Sequence, residues 1–577
     1  MISDRHIPVL IKRQLQKGYK TIMDNQKLSE LSKLIFPDLT DSDTVESLEE
    51  KFPPRNLPEG AKVTRMAPSP TGFMHIGNLY GALADERIAH TGDGVFYLRI
   101  EDTDDKREVP GAVEKIIKYL SKFGVEFDEG ASFEGDRGNY GPYRQRARAK
   151  YYHIVARKLL LDGRAYPCFC TEQELTEIRE KQEELKENFG YYGKWAKYRD
   201  YETDKAIERI KNGESYVLRF RSQGDPTKKV EFKDSIRGKL TFPENDQDFV
   251  LLKSDGIPTY HFAHVVDDHF MRTTDVVRGE EWLSTLPWHL ELWRACGFKT
   301  PRFSHTAQVM KLDEETGAKR KMSKRKDPES SLEFYFEKGY PAKSVIEYLM
   351  TLLNSNYEQW RMANKDASYR DFEFKASKMG ISGAMFDLAK FNDVSKNMIS
   401  TMTAHEVLDG VLDWANEYDG ELAGLLSRDR EYAEKFFSIG RGGKKPRKDF
   451  ACWSEVKSFI SYFYDELFKI EENFPECTEK SDLKAILSDY ASMYDENDDQ
   501  NAWFEKLKAL SEKYGYASDM KAYKENPQNF KGSVTDISTA VRVALTGRRN
   551  SPDMFEIMHT LGKDRTVSRI KNASDCL

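Results

Sequence analysis

The sequence predicts a multidomain protein in which an α/β region built on a parallel sheet precedes an all-helical region. From residue 63 onward, short apolar runs rich in β-branched and aromatic residues alternate with stretches of helical periodicity, an order typical of a parallel sheet. From about residue 330 onward the periodicity is almost entirely helical. The 577 residues exceed what one hydrophobic core can hold and indicate roughly three to five domains.

The elements of the α/β region follow one another at strand and helix lengths. The strand-like "KVTRM" precedes "APSPTGFMHIGN", where "HIGN" opens a helix, and a second strand-like run covers residues 95–100. The segment "AVEKIIKYLSKFGV" predicts a helix ended by a glycine. Residues 140–260 mix helices with short strands and a turn at Asp255-Gly256, after which "TDVVRGEEWL" returns to strand, turn and helix. An insertion therefore interrupts the α/β pattern.

The two ends of the chain are predicted to be helical. The segments "PAKSVIEYLMTLL", "SEVKSFISYFYDELFKI" and "FEKLKALSEKYG" have helical spacing, and the acidic "YDENDDQNAW" is typical of a solvated loop. Residues before about 60 are helical in pattern and end in the linker-like "PPRNLPEG". This extension either packs against the following domain or adds an RNA or protein contact.

Composition excludes several classes of protein. No apolar run approaches the roughly 20 residues that a membrane span needs, and the first 20 residues lack the features of a secretory signal. Six cysteines in 577 residues do not make a disulfide scaffold, so we expect a reducing, cytoplasmic setting. The net charge of -7 argues weakly against nonspecific coating of nucleic acid but leaves room for a local basic face.

Two short segments could carry phosphate chemistry. In "HIGN" the free N–H groups at a helix N-terminus attract anions, His75 adds a donor, and Gly77 leaves room for a flat base. In the basic loop "KRKMSKRKDP", Lys321 and Lys324 are placed so that both can reach one departing pyrophosphate. Taken alone, the first segment is equally consistent with a glycine-containing turn, and the second is better explained as a solvated basic run or a nonspecific RNA-contacting patch.

Together, in this order and about 245 residues apart, the two segments resemble the "HIGH" and "KMSKS" signatures of class I aminoacyl-tRNA synthetases. "RMAPSPTGFMHIGN" is similar to the glutamyl, bacterial-type version of the first signature. The resemblance continues in order through "LRIEDTD", "AYPCFCTEQEL", "DFVLLKSDGIPTYHFAHVVDDH" and "DVVRGEEWLSTLPWHLEL", and returns in "TAVRVALTGRRNSPDMFEIMHTLGKDRTVSRI". Glutaminyl relatives carry a "PEPNG"-like first signature and a β-barrel C-terminal part, which this sequence does not predict.

The resemblance implies a Rossmann-like catalytic domain with an inserted α/β domain, followed by an all-α anticodon-binding region. The fingerprint G-x-G-x-x-G is absent, so NAD is not implied. The expected regions are an N-terminal extension and linker (1–60), two catalytic halves (61–140 and 261–325), an inserted acceptor-stem-binding domain (141–260), a stem-contact helical domain (326–400) and the anticodon-binding region (401–577).

The resemblance also implies the substrates and their residues. The enzyme would join L-glutamate to the 3′ end of tRNA(Glu) through a glutamyl-adenylate, using ATP with Mg²⁺ bridging the phosphates. The residues expected at ATP are Pro68, His75, Gly77, Asn78, Glu281, Lys321, Ser323 and Lys324, with His75, Gly77, Lys321 and Lys324 catalytic. The residues expected at glutamate are Arg65, Ala67, Ser69, Glu101, Tyr260, His264 and Arg278.

Arginine suits this substrate because its planar fork matches a carboxylate. Arg65 would grip the side-chain carboxylate, Glu101 would face the ammonium group and Arg278 would add positive potential. His264 departs from the family pattern, in which an asparagine touches the substrate, so its contact is in doubt.

Metal binding and tRNA binding are less well marked. Cys168 and Cys170 match half of the family's zinc site, but Trp195 stands where the third cysteine is expected, so we expect no zinc. Tyr191, Tyr192 and His153 are further candidate neighbours, without support from spacing. The basic residues expected at tRNA phosphates are Arg441, Lys444, Lys445, Arg548 and Arg549.

Several alternatives stay open at the level of sequence. The enzyme could also charge tRNA(Gln), because no anticodon-reading residue is assigned. The aromatic residues Trp453, Tyr462 and Phe463 could stack on bases, although helical core is the better interpretation. A different adenylating enzyme, a truncated relative that modifies a tRNA nucleoside, and a non-catalytic RNA-binding paralogue are disfavoured by the long helical C-terminus and the intact signatures. A monomer without membrane contact is expected.

Overall fold

The computed structural model describes residues 25–70, 73–104, 108–476 and 479–577. Residues 1–24 of the N-terminal extension lie outside the described residues. The chain divides into two compact units. One comprises the described residues up to Leu332 together with Leu349–Phe386, and the other comprises Glu333–Tyr348 with Asp387–Leu577.

The strands belong to the first unit, as far as the described residues show. They are β1 (Val63–Met66), β2 (Val95–Leu98), β3 (Glu129–Ser132), β4 (Gly135–Arg137), β5 (Ala165–Cys168), β6 (Val217–Phe220), β7 (Lys229–Asp234), β8 (Gly238–Pro243), β9 (Val250–Leu252), β10 (Asp275–Gly279), β11 (Arg302–Thr306), β12 (Val309–Leu312), β13 (Lys319–Lys321) and β14 (Ala384–Met385).

The helices are distributed over both units. They are α1 (residues 25–35), α2 (Val45–Lys51), α3 (Ile76–His90), α4 (Ala112–Lys122), α5 (Ala149–Leu161), α6 (Glu172–Glu184), α7 (Thr203–Lys211), α8 (Tyr260–Phe270), α9 (Leu286–Cys296), α10 (Leu332–Lys338), α11 (Ala342–Leu353), α12 (Tyr357–Ala363), α13 (Leu388–Thr401), α14 (Ala404–Tyr418), α15 (Gly420–Arg428), α16 (Arg430–Ser438), α17 (Val456–Phe459), α18 (Lys480–Met493), α19 (Gln500–Lys513), α20 (Met520–Glu525), α21 (Val534–Thr546), α22 (Met554–Leu561) and α23 (Lys563–Asp575).

A parallel sheet forms the centre of the first unit. Strand β2 lies parallel between β1 and β3, and β10 pairs in parallel with β11. The N–H of Thr274 donates to the carbonyl of Val63 (3.0 Å), which places β10 beside β1. The chain therefore leaves β1 toward one side of the sheet and returns at β10 on the other. The carboxyl ends of two such strands frame a crevice where ligands bind in open α/β sheets.

The predicted insertion between the two halves of this sheet is confirmed. It contains the antiparallel sheet β5-β6-β9 and the hairpin β7-β8. Apolar side chains of the hairpin, among them Val230 and Phe232, pack against Phe303 of β11 and Leu286 of α9. The insertion is thus anchored on the central sheet by hydrophobic contact.

The described part of the N-terminal extension packs within the first unit. Leu31, Phe36, Leu48 and Phe52 are buried. Arg55 forms a bidentate ion pair with Glu129 of β3 (2.7 and 2.9 Å). Residues 25–60 are therefore part of the fold of the first unit, as the first of the two expectations has it.

The second unit has a helical core built from α13 to α23, as predicted. Its buried cluster extends from Ile399 to Ala573. Several helices begin with a reciprocal capping box, for example α14, where the Thr403 hydroxyl accepts from the N–H of Glu406 and the carboxylate of Glu406 accepts from the N–H of Thr403. The sequence alone locates such helix starts.

One predicted helix, in residues 454–470, is wrong. The segment folds into short 3₁₀ turns and the four-residue helix α17. Trp453, Tyr462 and Phe463 are 6%, 1% and 1% exposed, and their neighbours Val456 and Ile460 are also buried. Because apolar side chains lie on every side, no single helix face could bury them all. These aromatic residues are core, as the preferred interpretation expected.

Candidate active site

A two-lobed cavity lies at the carboxyl ends of β1 and β10, at the N-terminus of α3. Each lobe has a volume of about 300 Å³. Both lobes share a floor made by two backbone segments, Gly77 and Asn78 of α3 and residues 277–279 of β10. We call the lobe that contains His75 the nucleotide lobe and the lobe that contains Arg65 the amino-acid lobe.

The nucleotide lobe brings together the two signature segments that the sequence places far apart. His75, Gly77, Asn78, Lys321 and Lys324 all line it. The Lys324 ammonium lies 4.3 Å from the ring centre of Phe73, whose ring is 6.0 Å from that of His75. One anion in this lobe could therefore meet the imidazole and both lysines.

His75 is the N-cap residue of α3, and its hydrogen bonds determine where its proton lies. The Nδ1 atom accepts from the backbone N–H of Asn78 (3.2 Å), and the Asn78 side-chain oxygen accepts from the backbone N–H of His75 (3.0 Å). Partial desolvation and the charge of Lys321 lower the pKa of His75 below its ordinary value. The neutral ring therefore carries its proton on Nε2, which is left as a hydrogen-bond donor.

The position of the His75 imidazole requires a residue without a side chain at Gly77. A Cβ atom on Gly77 would lie 2.9 Å from Nδ1 and 3.0 Å from Cε1 of His75. A side chain here would displace the ring from its capping position. The bare glycine therefore makes room for the histidine as well as for a ligand.

The basic loop is held in place by a buried carboxylate. Arg320 donates to both oxygens of Asp327 (2.6 and 2.8 Å), and the N–H of Ser323 donates to Asp327 as well (2.8 Å). These bonds, Arg320 first, lower the pKa of Asp327 to about 2. The loop thus uses Arg320 for its own structure and presents Lys321 and Lys324 to the cavity.

The amino-acid lobe contains most of the residues expected at glutamate. Its walls include Arg65, Ala67, Ser69, Glu101, Tyr260 and Arg278, and also Pro68, which was expected at ATP. Desolvation raises the pKa of Glu101 to about 7, although the guanidinium of Arg99 lies 3.2 Å away. An ammonium group entering this lobe would favour the ionised form of Glu101.

A fully buried carboxylate, Asp268, organises the cations of this lobe. Its Oδ1 accepts from Arg65 (3.1 Å) and Arg99 (2.6 Å), and its Oδ2 lies 3.1 Å from Nδ1 of His264. Burial opposes its charge, but the two arginines hold the pKa of Asp268 well below its ordinary value. Arg65 also donates to the carbonyl of Val277 (3.0 Å), which fixes the guanidinium in the wall.

Two predicted residues do not line the cavity. His264 is fully buried beneath Tyr260, with ring centres 5.3 Å apart and nearly parallel planes. Ser323 contributes its backbone to Asp327 and is likewise not a lining residue. Because the pKa of His264 is lowered to about 3 by burial, its ring is neutral and supports Tyr260 from below.

Sequence reasoning missed several residues of the site, among them Asp85 and Asp268. Asp85 lines the amino-acid lobe, and burial raises its pKa well above the ordinary value. Asp268 stands four residues after His264, one helical turn, and that spacing is the signal that could have identified the pair.

Cys168 and Cys170 both contact the same tyrosine, Tyr191. The sulfurs of Cys168 and Cys170 lie 3.4 and 3.5 Å from the hydroxyl of Tyr191. Trp195 points elsewhere and donates to Glu187 (2.7 Å). Across the described ranges, no group of three or more His, Cys, Asp or Glu side chains is arranged to hold a metal ion.

In the second unit, two of the five expected tRNA contacts are engaged within the protein. Arg441 donates to the carbonyl of Ile399 (2.7 Å), and Arg548 donates to Glu471 (2.9 Å). Lys444 and Lys445 are exposed in the loop that follows α16. The surface-exposed lysines are therefore better placed for phosphate contacts than Arg441.

Comparison with known families identifies the family of this chain. The profile described as "tRNA synthetases class I (E and Q), catalytic domain" matches residues 62–392, and an "Anticodon binding domain" profile matches residues 447–574. The chain belongs to the class I glutamyl- and glutaminyl-tRNA synthetases. The resemblance inferred from the signatures is thereby confirmed.

Known synthetases match nearly the whole chain. A "Glutamate--tRNA ligase" of Acetivibrio thermocellus is 52% identical over 550 residues, covering 95% of this chain and 100% of that protein. One from Clostridium perfringens is 49% identical, with 94% and 99% covered. A crystal structure of a glutamate tRNA ligase from Elizabethkingia meningosepticum, in complex with its amino acid, superposes with a TM-score of 0.72 at 27% identity, covering 89% of this synthetase and 99% of that chain.

Proposed function

We propose that this protein ligates L-glutamate to the 3′ end of tRNA(Glu) through a glutamyl-adenylate, releasing AMP and pyrophosphate. The observation that supports it most is the two-lobed cavity, in which His75, Lys321 and Lys324 line one lobe, Arg65 lines the other, and Arg278 lines both. The near-complete match to glutamate ligases supports the same conclusion.

ATP occupies the nucleotide lobe in this proposal. The Nε2–H of His75 and the ammonium groups of Lys321 and Lys324 donate to its phosphates, while apolar lining such as Val309 and Met322 suits a base. Glu281, at the mouth of this lobe, accepts from the ribose. A Cβ on Gly279 would lie 2.1 Å from the Glu281 carboxylate, so the bare backbone there leaves room for that side chain.

Glutamate occupies the amino-acid lobe. Its side-chain carboxylate lies between Arg65 and Arg278, and its ammonium group faces Glu101, with Ala67, Ser69 and Tyr260 completing the wall. Neutral glutamine offers the two guanidinium groups no charge. Because hydrogen bonds between charged groups contribute more than neutral ones, the lobe favours the acid over the amide.

Activation joins the two lobes. An oxygen of the α-carboxylate of glutamate attacks the α-phosphorus of ATP. The bond from the α-phosphorus to the oxygen of the β-phosphate breaks, and pyrophosphate leaves. His75, Lys321 and Lys324 stabilise the charge that develops on the leaving phosphates, and the shared floor at Gly77 and residues 277–279 keeps the reacting groups in line. The 2′-hydroxyl of the terminal adenosine of tRNA then attacks the activated carbonyl, and AMP leaves with the proton on its phosphate.

Mg²⁺ is proposed to arrive with ATP, where it would offset the negative charge of the phosphates. The described part of the chain offers no cluster of three carboxylate, histidine or cysteine ligands. This fits a cation held mainly by phosphate and water, the usual arrangement for Mg²⁺.

We further propose that the enzyme acts as a monomer in the cytoplasm. Each of the five described cysteines is a free thiol, which suits a reducing compartment. Among the described residues no helix is long and apolar enough to cross a membrane.

Contacts to tRNA phosphates come from Lys444, Lys445 and Arg549 in the second unit, with Arg441 and Arg548 shaping the segments that carry the loops.

The test is aminoacylation of purified tRNA(Glu) and tRNA(Gln) with labelled glutamate, alongside ATP–pyrophosphate exchange with and without tRNA. Charging of tRNA(Glu) that is lost in His75→Ala and Lys324→Ala supports the proposal. A folded protein that binds tRNA but shows neither charging nor exchange would establish the non-catalytic alternative. Charging of both tRNAs would identify an enzyme without discrimination between them.

A further inference from the structure

Arg278 is held by histidines, whereas Arg65 in the same lobe is held by the carboxylate of Asp268. The Nε–H of Arg278 donates to Nε2 of His305 (3.0 Å), and Nη1 lies 3.1 Å from Nδ1 of His289. Sheet register explains the first contact, because Arg278 and His305 stand opposite each other on the parallel strands β10 and β11. His289 comes from α9, which packs on the same sheet.

The donation from Arg278 determines the proton positions in His305. A guanidinium has only donors, so Nε2 of His305 must be an acceptor, and the ring proton lies on Nδ1. That Nδ1 lies 2.7 Å from the carboxylate of Asp234, which also accepts from the backbone N–H groups of Ile236 and Arg237. Asp234 is the last residue of β7, so the inserted hairpin anchors this end of the network.

The same argument determines His289. Its Nδ1 accepts from Arg278, so its proton lies on Nε2, which donates to Nδ1 of His261 (2.9 Å). Burial, followed by the positive charge of Arg278, lowers the pKa of His261 to about 4, and burial likewise places the pKa of His289 well below its ordinary value. Burial also lowers the pKa of His305, against the opposing effect of Asp234. All three rings are therefore neutral.

Neutral acceptors orient Arg278 without cancelling its charge. Arg278 is 8% exposed, and its Nη2 is buried without a hydrogen-bond partner among the described residues. The ring of Phe303 lies 4.7 Å from the guanidinium, and the hydroxyl of Tyr260, in the cavity wall, also interacts with it. A carboxylate in direct contact would offset the charge of Arg278, as Asp268 partly does for Arg65 while it also pairs with Arg99. The charge of Arg278 remains available to an incoming anion.

We infer that His289 and His305 are positioning residues that hold Arg278, by neutral imidazole acceptors, for the side-chain carboxylate of the substrate, and that they thereby favour glutamate over glutamine. The inference rests on the proposed function and extends it to two side chains outside the cavity wall. Asp234 and His261 complete the network by fixing the tautomers of the two rings.

Asparagine and glutamine substitutions test the inference because they replace different ring nitrogens. An asparagine amide places its polar atoms near the Nδ1 position of a histidine, and a glutamine amide places them near the Nε2 position. His289 uses Nδ1 toward Arg278, whereas His305 uses Nε2. His289→Asn and His305→Gln therefore keep the acceptor, and His289→Gln and His305→Asn remove it.

The assay is tRNA-dependent ATP–pyrophosphate exchange, with KM measured separately for glutamate and ATP and with L-glutamine as a competitive inhibitor. In the two variants that lose the acceptor, we expect the glutamate KM to rise about ten-fold, since a hydrogen bond to a charged group is lost, with the ATP KM unchanged. The preference for glutamate over glutamine should fall by a similar factor. The two variants that keep the acceptor should stay within about three-fold of the unaltered enzyme.

We expect asparagine to be tolerated better than glutamine in place of His289, and glutamine better than asparagine in place of His305. A general packing role would not produce this reversal. Equal losses for asparagine and glutamine at each position would overturn the inference, as would equal rises in the KM of ATP and glutamate. Thermal melting of all four variants accompanies the kinetics, and a common loss of folding would likewise assign the histidines to packing alone. Absence of glutamate-dependent exchange in the unaltered protein would overturn the proposed function together with the inference.

Discussion

Replacing Asn78 tests how the first signature holds its histidine. The Asn78 side-chain oxygen accepts from the backbone N–H of His75 (3.0 Å), and the Nδ1 of His75 accepts in return. Asn78→Ala removes the first bond and leaves the N–H of the cap residue without its partner. Such a bond contributes about 1 kcal/mol, which corresponds to roughly a five-fold change in an equilibrium or rate constant.

The matched control is Asn78→Ser, which restores an oxygen at the third helical position. This chain already uses that arrangement in α2, where the N–H of Thr44 donates to the hydroxyl of Ser47 (3.1 Å). In ATP–pyrophosphate exchange, we expect Asn78→Ala to lower kcat/KM for ATP about five-fold, and Asn78→Ser to recover most of it. The glutamate KM should change less than kcat/KM for ATP in both variants, although Asn78 also lines the amino-acid lobe. Equal activity of the alanine and serine variants, or an effect confined to glutamate, would refute the reasoning.

Three further predictions follow from the first unit. Desolvation raises the pKa of Glu101 to about 7, and binding of an ammonium group needs the ionised carboxylate. The glutamate KM should therefore rise as the pH falls from about 8 to about 6. In Glu101→Gln the glutamate KM should depend much less on pH. Purified protein should contain no stoichiometric zinc, and treatment with a chelator followed by return to buffer with Mg²⁺ should leave its activity unchanged, because Cys168 and Cys170 share a tyrosine hydroxyl in place of further metal ligands; one bound zinc per chain by elemental analysis would contradict this. Arg55→Ala should lower the free energy of urea unfolding by about 3 kcal/mol, since Glu129 loses two charged hydrogen bonds and keeps only the one from the hydroxyl of Tyr143, whereas Lys211→Ala at an exposed ion pair should change it little.

The order of strands and helices could be predicted because it depends on local patterns. The strands β1 and β10, the helix that opens at "HIGN" and the helical second unit follow from periodicity, capping residues and glycine positions. The wrong helix in residues 454–470 shows the limit of this reasoning: most apolar residues between Val456 and Tyr464 are buried, and tertiary packing overrides helical spacing. The finer domain boundaries expected from the resemblance remain predictions.

The site could be predicted where a side chain faces the cavity and stands in a signature. Arg65, His75, Lys321 and Lys324 converge as expected, although long stretches of chain separate them. The residues that lie behind these side chains and hold them could not be predicted, because their contacts depend on which strands and helices become neighbours. His305 meets Arg278 only through the register of β10 and β11.

His264 illustrates a single residue whose role changes with tertiary context. Its position in the sequence indicates a substrate contact, but in the fold it lies under Tyr260 and pairs with Asp268. The ring of Tyr260 lines the amino-acid lobe, and the ring of His264 does not. Only the packing of α8 against the sheet reveals this exchange.

The most direct test of the account is a crystal structure with a stable analogue of glutamyl-adenylate, in which a sulfamoyl group replaces the phosphate. We predict that the adenosine lies in the nucleotide lobe with its linker near His75, and that the glutamyl carboxylate lies between Arg65 and Arg278. An analogue bound with its glutamyl group outside the amino-acid lobe, or with the adenosine remote from His75, would contradict the account.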